Sequence, residues 1–243
     1  MKKRIQACCF DLGNTLNNDI LLTEKSVNEM GEWMQSNKYC PSGRDFTEIY
    51  HRINHAASGP FYSHTYGEAD FFLQTFQALS ITGISPEDAL VKYRSIVDRN
   101  TPIDAVLRSA LDYLTTLGIR KAIMSNERTA RVNAYLERTG LRSCFDTIVV
   151  SEDCGYEKPE PGFFKAALDR LHIPPEQAGT VALFGDNTIA DGACKDHGML
   201  FVLVTSFYSR RWYFERGSEH TPDYTIDTIS PDTLRVFLNS FAD

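Results

Sequence analysis

The sequence predicts an α/β fold: a parallel sheet covered by helices on both faces, interrupted by one helical insert. Three observations carry this. From Thr101 onward, short apolar runs alternate with amphipathic helical patterns, as a parallel sheet with crossover helices requires. The first run, residues 5–11, is mostly apolar up to Asp11, as befits a strand buried on both faces. Residues 20–100 break the alternation, with four helical patterns and nothing that reads as a strand. The expected division is therefore residues 1–19 and 101–243 as the α/β body, with 20–100 as the insert.

In the insert, helices are expected over Thr23–Asn37, Gly43–Ala57, Glu68–Leu79 and Pro86–Arg99, with breakers at Pro41-Ser42-Gly43, Ser58-Gly59-Pro60 and Thr82-Gly83-Ile84-Ser85-Pro86. Phe71, Phe72, Phe76 and Leu79 recur at helical spacing and read as core. Ser85, with Asp88 three residues later, suits a helix cap. In the body the order is helix Ala105–Leu117, strand Arg120–Met124, helix Glu127–Thr139, strand Thr147–Val150, helix Pro161–His172 and strand Val181–Phe184. Helix Ile189–His197, strands Phe201–Val204 and Tyr224–Ile226, and helix Pro231–Asn239 complete it. Gly118, Gly140 and Gly198 stand where helices should stop, and Ser230 where the last should start.

Composition narrows the function classes. The chain of 243 residues has 42% hydrophobic and 23% charged residues, and a net charge of −7 argues against nucleic-acid or anionic-membrane partners. No apolar run approaches the ~20 residues of a membrane span. Lys2-Lys3-Arg4 and the apolar stretch after it imitate a signal peptide, but Asp11 stops the stretch and no small-residue cleavage site follows. The six cysteines form no C-x-x-C pair, so reduced thiols in a cytoplasmic protein are expected.

Four apolar strands end in polar residues: Asp11, Ser125-Asn126, Ser151-Glu152-Asp153 leading to Lys158, and Gly185-Asp186-Asn187 with Asp191 beyond. In a parallel sheet these ends share one edge, where open α/β sheets bind ligands. Such a set suits phosphoryl transfer. Asp11 can attack phosphorus and carry the group covalently. Mg²⁺ would relieve the repulsion between two anions, and its preference for oxygen fits Asp11, Asp186 and a backbone carbonyl, with Asp191 orienting its waters. Ser125 and Asn126, with nearby backbone N–H groups, suit phosphoryl oxygens. Lys158 suits a charge that holds both Asp11 and the phosphoryl group.

Phe10-Asp11-Leu12-Gly13-Asn14-Thr15-Leu16, Ile123-Met124-Ser125-Asn126, Lys158-Pro159-Glu160-Pro161 and Gly185-Asp186-Asn187-Thr188-Ile189-Ala190-Asp191 together resemble the four motifs of the haloacid dehalogenase (HAD) superfamily. The resemblance spans Asp11 to Asp191. It implies a Rossmann-like core, and an insert similar to the C1 type of helical cap found in subfamily I. Most such proteins are Mg²⁺-dependent phosphatases of small phosphorylated metabolites. In them the Asp11 position is the nucleophile and a metal ligand, and the carbonyl at the Gly13 position is a further ligand.

Gly13 departs from the phosphatase pattern, which has an aspartate there as acid and base; its loss typically costs about 10²–10⁴ in rate. A substrate with a good leaving group would not need it. A cap residue could replace it, with His51, His55, His64 and Glu68 as candidates. The two other readings are a non-catalytic or very slow phospho-ligand binder and a 2-haloacid dehalogenase, a branch that also lacks the second aspartate. The Gly-Asp-x₄-Asp pattern of a metal site speaks against the dehalogenase, and a lone cap arginine such as Arg44 reads as solvated. Arg210-Arg211-Trp212 reads as a surface loop or contact patch.

Overall fold

The computed structural model describes residues 4–57, 67, 69–207 and 218–241. It falls into two compact units, Met1–Asn18 with Pro102–Asp243 and, separately, Asp19–Thr101. The first holds a six-stranded sheet: β1 (Ala7–Phe10), β2 (Arg120–Ser125), β3 (Thr147–Val150), β4 (Val181–Gly185), β5 (Leu200–Val204) and β6 (Tyr224–Ile226). The spatial order is β3-β2-β1-β4-β5-β6, and every pair is parallel. The chain is thus a Rossmann-like α/β protein.

The apolar runs are explained by the two-residue period of a strand. Cys8 and Phe10 of β1 join a core with Ile123, Phe184 and Val202, while Ala7 and Cys9 join a second core on the opposite face with Met124, Leu183 and Phe201. Leu111 of α5 (Ala105–Thr116), Leu136 of α6 (Thr129–Thr139) and Phe237 of α9 (Pro231–Asn239) cover the first face. Phe163 and Phe164 of α8 (Pro161–Arg170) cover the second. Both faces are dry, so both sets must be apolar.

The second unit is helical: α1 (Asp19–Ser36), α2 (Gly43–Ala57), α3 (Asp70–Leu79) and α4 (Pro86–Asn100). Phe71, Phe72 and Phe76 are buried with Met30, Met34 and Phe46, as their spacing predicts. Helices α1 and α2 meet backbone to backbone: a Cβ on Gly31 would lie 2.5 Å from the Gly43 carbonyl oxygen. Ser85 caps α4 by accepting the Asp88 N–H at 3.0 Å.

Two local expectations change. Ser151-Glu152-Asp153, which leads from β3 towards Lys158, opens a short helix not expected from the sequence, α7 (Ser151–Cys154). The helix expected over Ile189–His197 forms only as a 3₁₀ turn, Gly192–His197. Ahead of it the Asn187 side chain takes the N–H groups of Ile189 and Ala190, both at 2.9 Å, and so replaces the first helical turn. The other boundaries agree to within a few residues. The cysteines are free thiols. Among the described residues no helix is long and apolar enough to cross a membrane.

Candidate active site

The sheet register builds the site. Phe10 pairs with Ile123 on one side and Phe184 on the other, so β1, β2 and β4 finish at one level. The Asp11 N–H donates to the Phe184 carbonyl at 2.9 Å, extending the ladder by one residue and fixing the backbone that carries the carboxylate. Beyond it the Leu12 carbonyl accepts from Thr15, Leu16 and Asn17, and Asn14 takes a left-handed φ of 55°, which a small polar side chain tolerates. Gly13 lies in this tight turn and bridges to Asn17.

Lys158 arrives on the loop between α7 and α8, and its side chain is buried. Its ammonium donates to Asp11 Oδ1 at 2.8 Å, to the Met124 carbonyl at 2.8 Å and to Asp191 Oδ1 at 2.5 Å. Three acceptors match its three N–H bonds, so the charge is fully satisfied without solvent.

Asn126 does something other than expected. Its Oδ1 accepts the Lys158 N–H at 2.7 Å, and its Nδ2 donates to the Lys158 carbonyl at 2.8 Å. Both ends of the carboxamide are engaged by one residue's backbone, so Asn126 anchors Lys158. The first turn of α6 has no side-chain cap. Ser125 is buried at the end of β2.

The fourth segment is wound onto itself. Asp191 Oδ2 accepts the Asn187 N–H at 3.1 Å, and the Asn187 carbonyl accepts the N–H groups of Asp191 and Gly192. The Asp191 carboxylate lies directly over Gly185: a Cβ there would be 2.2 Å from Asp191 Oδ2. Only glycine leaves that space. Gly185→Ala is therefore expected to push Asp191 off Lys158 and to destabilise the fold by about 1–3 kcal/mol, measurable by urea denaturation.

Oxygen atoms of Asp11, Asp186 and Asp191 all lie within 4.8 Å of one another, so three carboxylates face one ammonium. Burial pushes the Asp11 carboxyl up to about 6, the Asp191 charge adds to the rise, and Lys158 opposes it. Burial, then the charges of Asp191 and Asp11, raise Asp186 well above the usual carboxylate range. Burial disfavours the charged form of Lys158, but its two carboxylate partners outweigh that and raise its pKa. An excess of hard anionic oxygens in one small volume fits a dication such as Mg²⁺.

His51 and His55 belong to α2 of the helical unit. Arg44 is exposed and pairs with Glu48 at 2.9 Å, as a solvated residue would. His64, Glu68 and Arg210-Arg211-Trp212 lie outside the described residues. Two participants were missed from the sequence. The Met124 carbonyl carries no side-chain signal, whereas Asn187 could have been read as an Asx-turn former.

The fold and site define a class of α/β protein in which a buried lysine at the sheet edge is shared by a strand-end aspartate and a downstream aspartate. The model of the haloacid dehalogenase-like hydrolases matches residues 5–193, and the chain belongs to that family. It is 34% identical over 175 residues to haloacid dehalogenase-like hydrolase domain-containing protein 3 of Xenopus laevis, covering 70% of each chain. It is 24% identical over 238 residues to the pyrophosphatase PpaX of Bacillus velezensis, covering 96% of this chain and 97% of that one. Among solved structures it resembles the HAD-hydrolase YfnB of Bacillus subtilis bound to magnesium. There the TM-score is 0.68 and the identity 20%, over 98% of this chain and 100% of that one.

Proposed function

We propose that the protein is a Mg²⁺-dependent phosphatase that hydrolyses a small phosphorylated metabolite through an aspartyl-phosphate at Asp11. The observation that carries this reading is the Lys158 ammonium shared by Asp11 and Asp191, with Asp186 within 4.8 Å. Asp11, Asp186 and the Gly13 carbonyl would hold the metal, and Asp191 would orient its water ligands. When bound, the ion supplies positive charge that lets one anion approach another. A dehalogenase does not need such an oxygen-rich cluster, which favours phosphoryl transfer. A pyrophosphatase among full-length relatives supports the same class of bond.

In the first half-reaction an Asp11 carboxylate oxygen bonds to phosphorus. The bond from phosphorus to the leaving oxygen breaks, and that oxygen departs with the electron pair. Lys158 holds the attacking carboxylate in line and its positive charge offsets that of the phosphoryl group, while the Ser125 hydroxyl would donate a hydrogen bond to a phosphoryl oxygen. Water then attacks phosphorus, the Asp11–phosphorus bond breaks with its electron pair returning to the carboxylate, and inorganic phosphate leaves carrying the water oxygen and its protons, one of which it can pass to solvent. With glycine at position 13, the leaving oxygen takes its proton from water or needs none, which favours substrates with acidic leaving groups. The helical unit is read as a C1-type cap that selects the substrate, in a cytoplasmic protein.

The test is phosphate release from a panel of acyl phosphates, sugar 1-phosphates, pyrophosphate and simple phosphomonoesters, with and without Mg²⁺. Release that needs the metal and is lost in Asp11→Asn supports the proposal, whereas silence on every substrate rejects it. Gly13→Asp is expected to speed hydrolysis of poor leaving groups by about 10²-fold or more. An unchanged rate would mean that another group already serves as the acid.

A further inference from the structure

Asp186 and Asp191 sit on one short loop, and that loop is fastened from outside by a segment far along the chain. The His220 N–H donates to the Thr188 carbonyl at 2.9 Å. The His220 side chain packs on the residue that follows Asp191: a Cβ on Gly192 would lie 2.9 Å from His220 Cβ. The ring Nε2 meets both carboxylate oxygens of Asp196 at 3.1 Å. Beside it, Lys195 donates to the Thr221 carbonyl at 2.7 Å and to Asp223 Oδ1 at 2.9 Å. Asp223 in turn is tied to Phe201 at the head of β5 through its backbone N–H and its carboxylate, both at 2.9 Å.

Residues 220–223 thus form a strap across the 3₁₀ turn that begins directly after Asp191. Like charges packed in one small volume repel, so bonds that fix the loop oppose that repulsion. The ties within the loop run through Asn187; from outside, Lys158 holds the Asp191 carboxylate and His220 holds the backbone at Thr188. Groups that hydrogen-bond directly to metal ligands typically change metal affinity by about 10–100-fold when removed; His220 acts one step further out, so the low end of that range is expected.

We propose that His220, anchored on Asp196 and packed against Gly192, is a positioning residue that holds the Asp186–Asp191 loop in its metal-binding form. The inference rests on the Mg²⁺ reading above. Its test is the unfolding midpoint of substrate-free protein as Mg²⁺ is titrated, for wild type, His220→Ala, Asp196→Ala and the double variant. The midpoint without metal reports the fold, and its dependence on Mg²⁺ concentration reports affinity.

The Mg²⁺ concentration at which stabilisation sets in, which reports the dissociation constant, is expected to rise about tenfold in each single variant and no further in the double, because both changes cut one link. His220→Gln, which keeps an N–H donor for Asp196, is expected to recover most of the loss. A lower metal-free midpoint with an unchanged Mg²⁺ concentration would reduce His220 to a structural tie and overturn the inference. Losses that add in the double variant would overturn it too. If wild type itself shows no response to Mg²⁺, the metal reading fails, and the inference with it.

Discussion

Asp11→Asn is expected to lower phosphate release by about 10⁴–10⁶-fold, the scale of losing a nucleophile that works as part of a unit. The same change is expected to make the metal-free protein more stable at neutral pH. The Asp11 carboxyl is pushed up to about 6 by burial and by the Asp191 charge, against about 3.9 in an unfolded chain. A group raised in the folded state favours folding below its unfolded value, and that advantage is lost as pH rises through its folded value. Wild type in chelator therefore loses stability between pH ~4 and ~6 through this residue. Asparagine keeps an oxygen for Lys158 to donate to and does not ionise. The variant should match wild type near pH 4 and exceed it by about 1–3 kcal/mol above pH 6, measured by urea denaturation in EDTA. Mg²⁺ should reverse the order, because wild type gains more from it. Equal stability of the two proteins at high pH in chelator would contradict the charge account.

Lys158→Met is expected to cost about 3–5 kcal/mol of stability in the absence of metal, because it leaves buried carboxylates without their cation. The lysine touches Asp11, Asp191 and the Met124 carbonyl with side-chain exposure of only 3%, so no water can replace it cheaply. Activity should fall by about 10²–10³-fold at least, the usual scale for one charge-stabilising donor. Mg²⁺ should recover part of the stability but little of the activity, since a metal neutralises the acids without aligning Asp11. Asn126→Ala should be a weaker version of the same lesion. It leaves the ammonium in place but frees the Lys158 backbone, losing two hydrogen bonds of about 0.5–1.5 kcal/mol each.

Asn126 also marks a limit of sequence reading. Its place beside Ser125 at a strand end points to a ligand, because strand-end polar residues line ligand crevices. What redirects it is the return of the 158 loop to the same edge, 32 residues later, with a free backbone N–H and carbonyl. Gly185 is the converse case. A glycine between Phe184 and Asp186 reads as a motif letter, yet its cause is a carboxylate six residues on that folds back to within 2.2 Å of where a Cβ would stand. The segment Ile189–His197 reads as a helix yet forms a 3₁₀ turn at Gly192–His197 for a similar reason. Amphipathic spacing was visible, but side-chain acceptance by Asn187 competes locally with the helix ladder.

The sequence alone determined the strand–helix alternation, the helical insert and the identity of the strand-end acids. These depend on periodicity and on residue type, which the chain carries locally. Only the tertiary structure decided which of those polar residues meet one another. The sharing of one ammonium by Asp11 and Asp191, the grip of Asn126 on Lys158 and the strap over Gly192 are contacts between segments far apart in the chain. Such contacts are fixed by the register of β1 against β2 and β4 and by where each loop returns, and no local pattern encodes them.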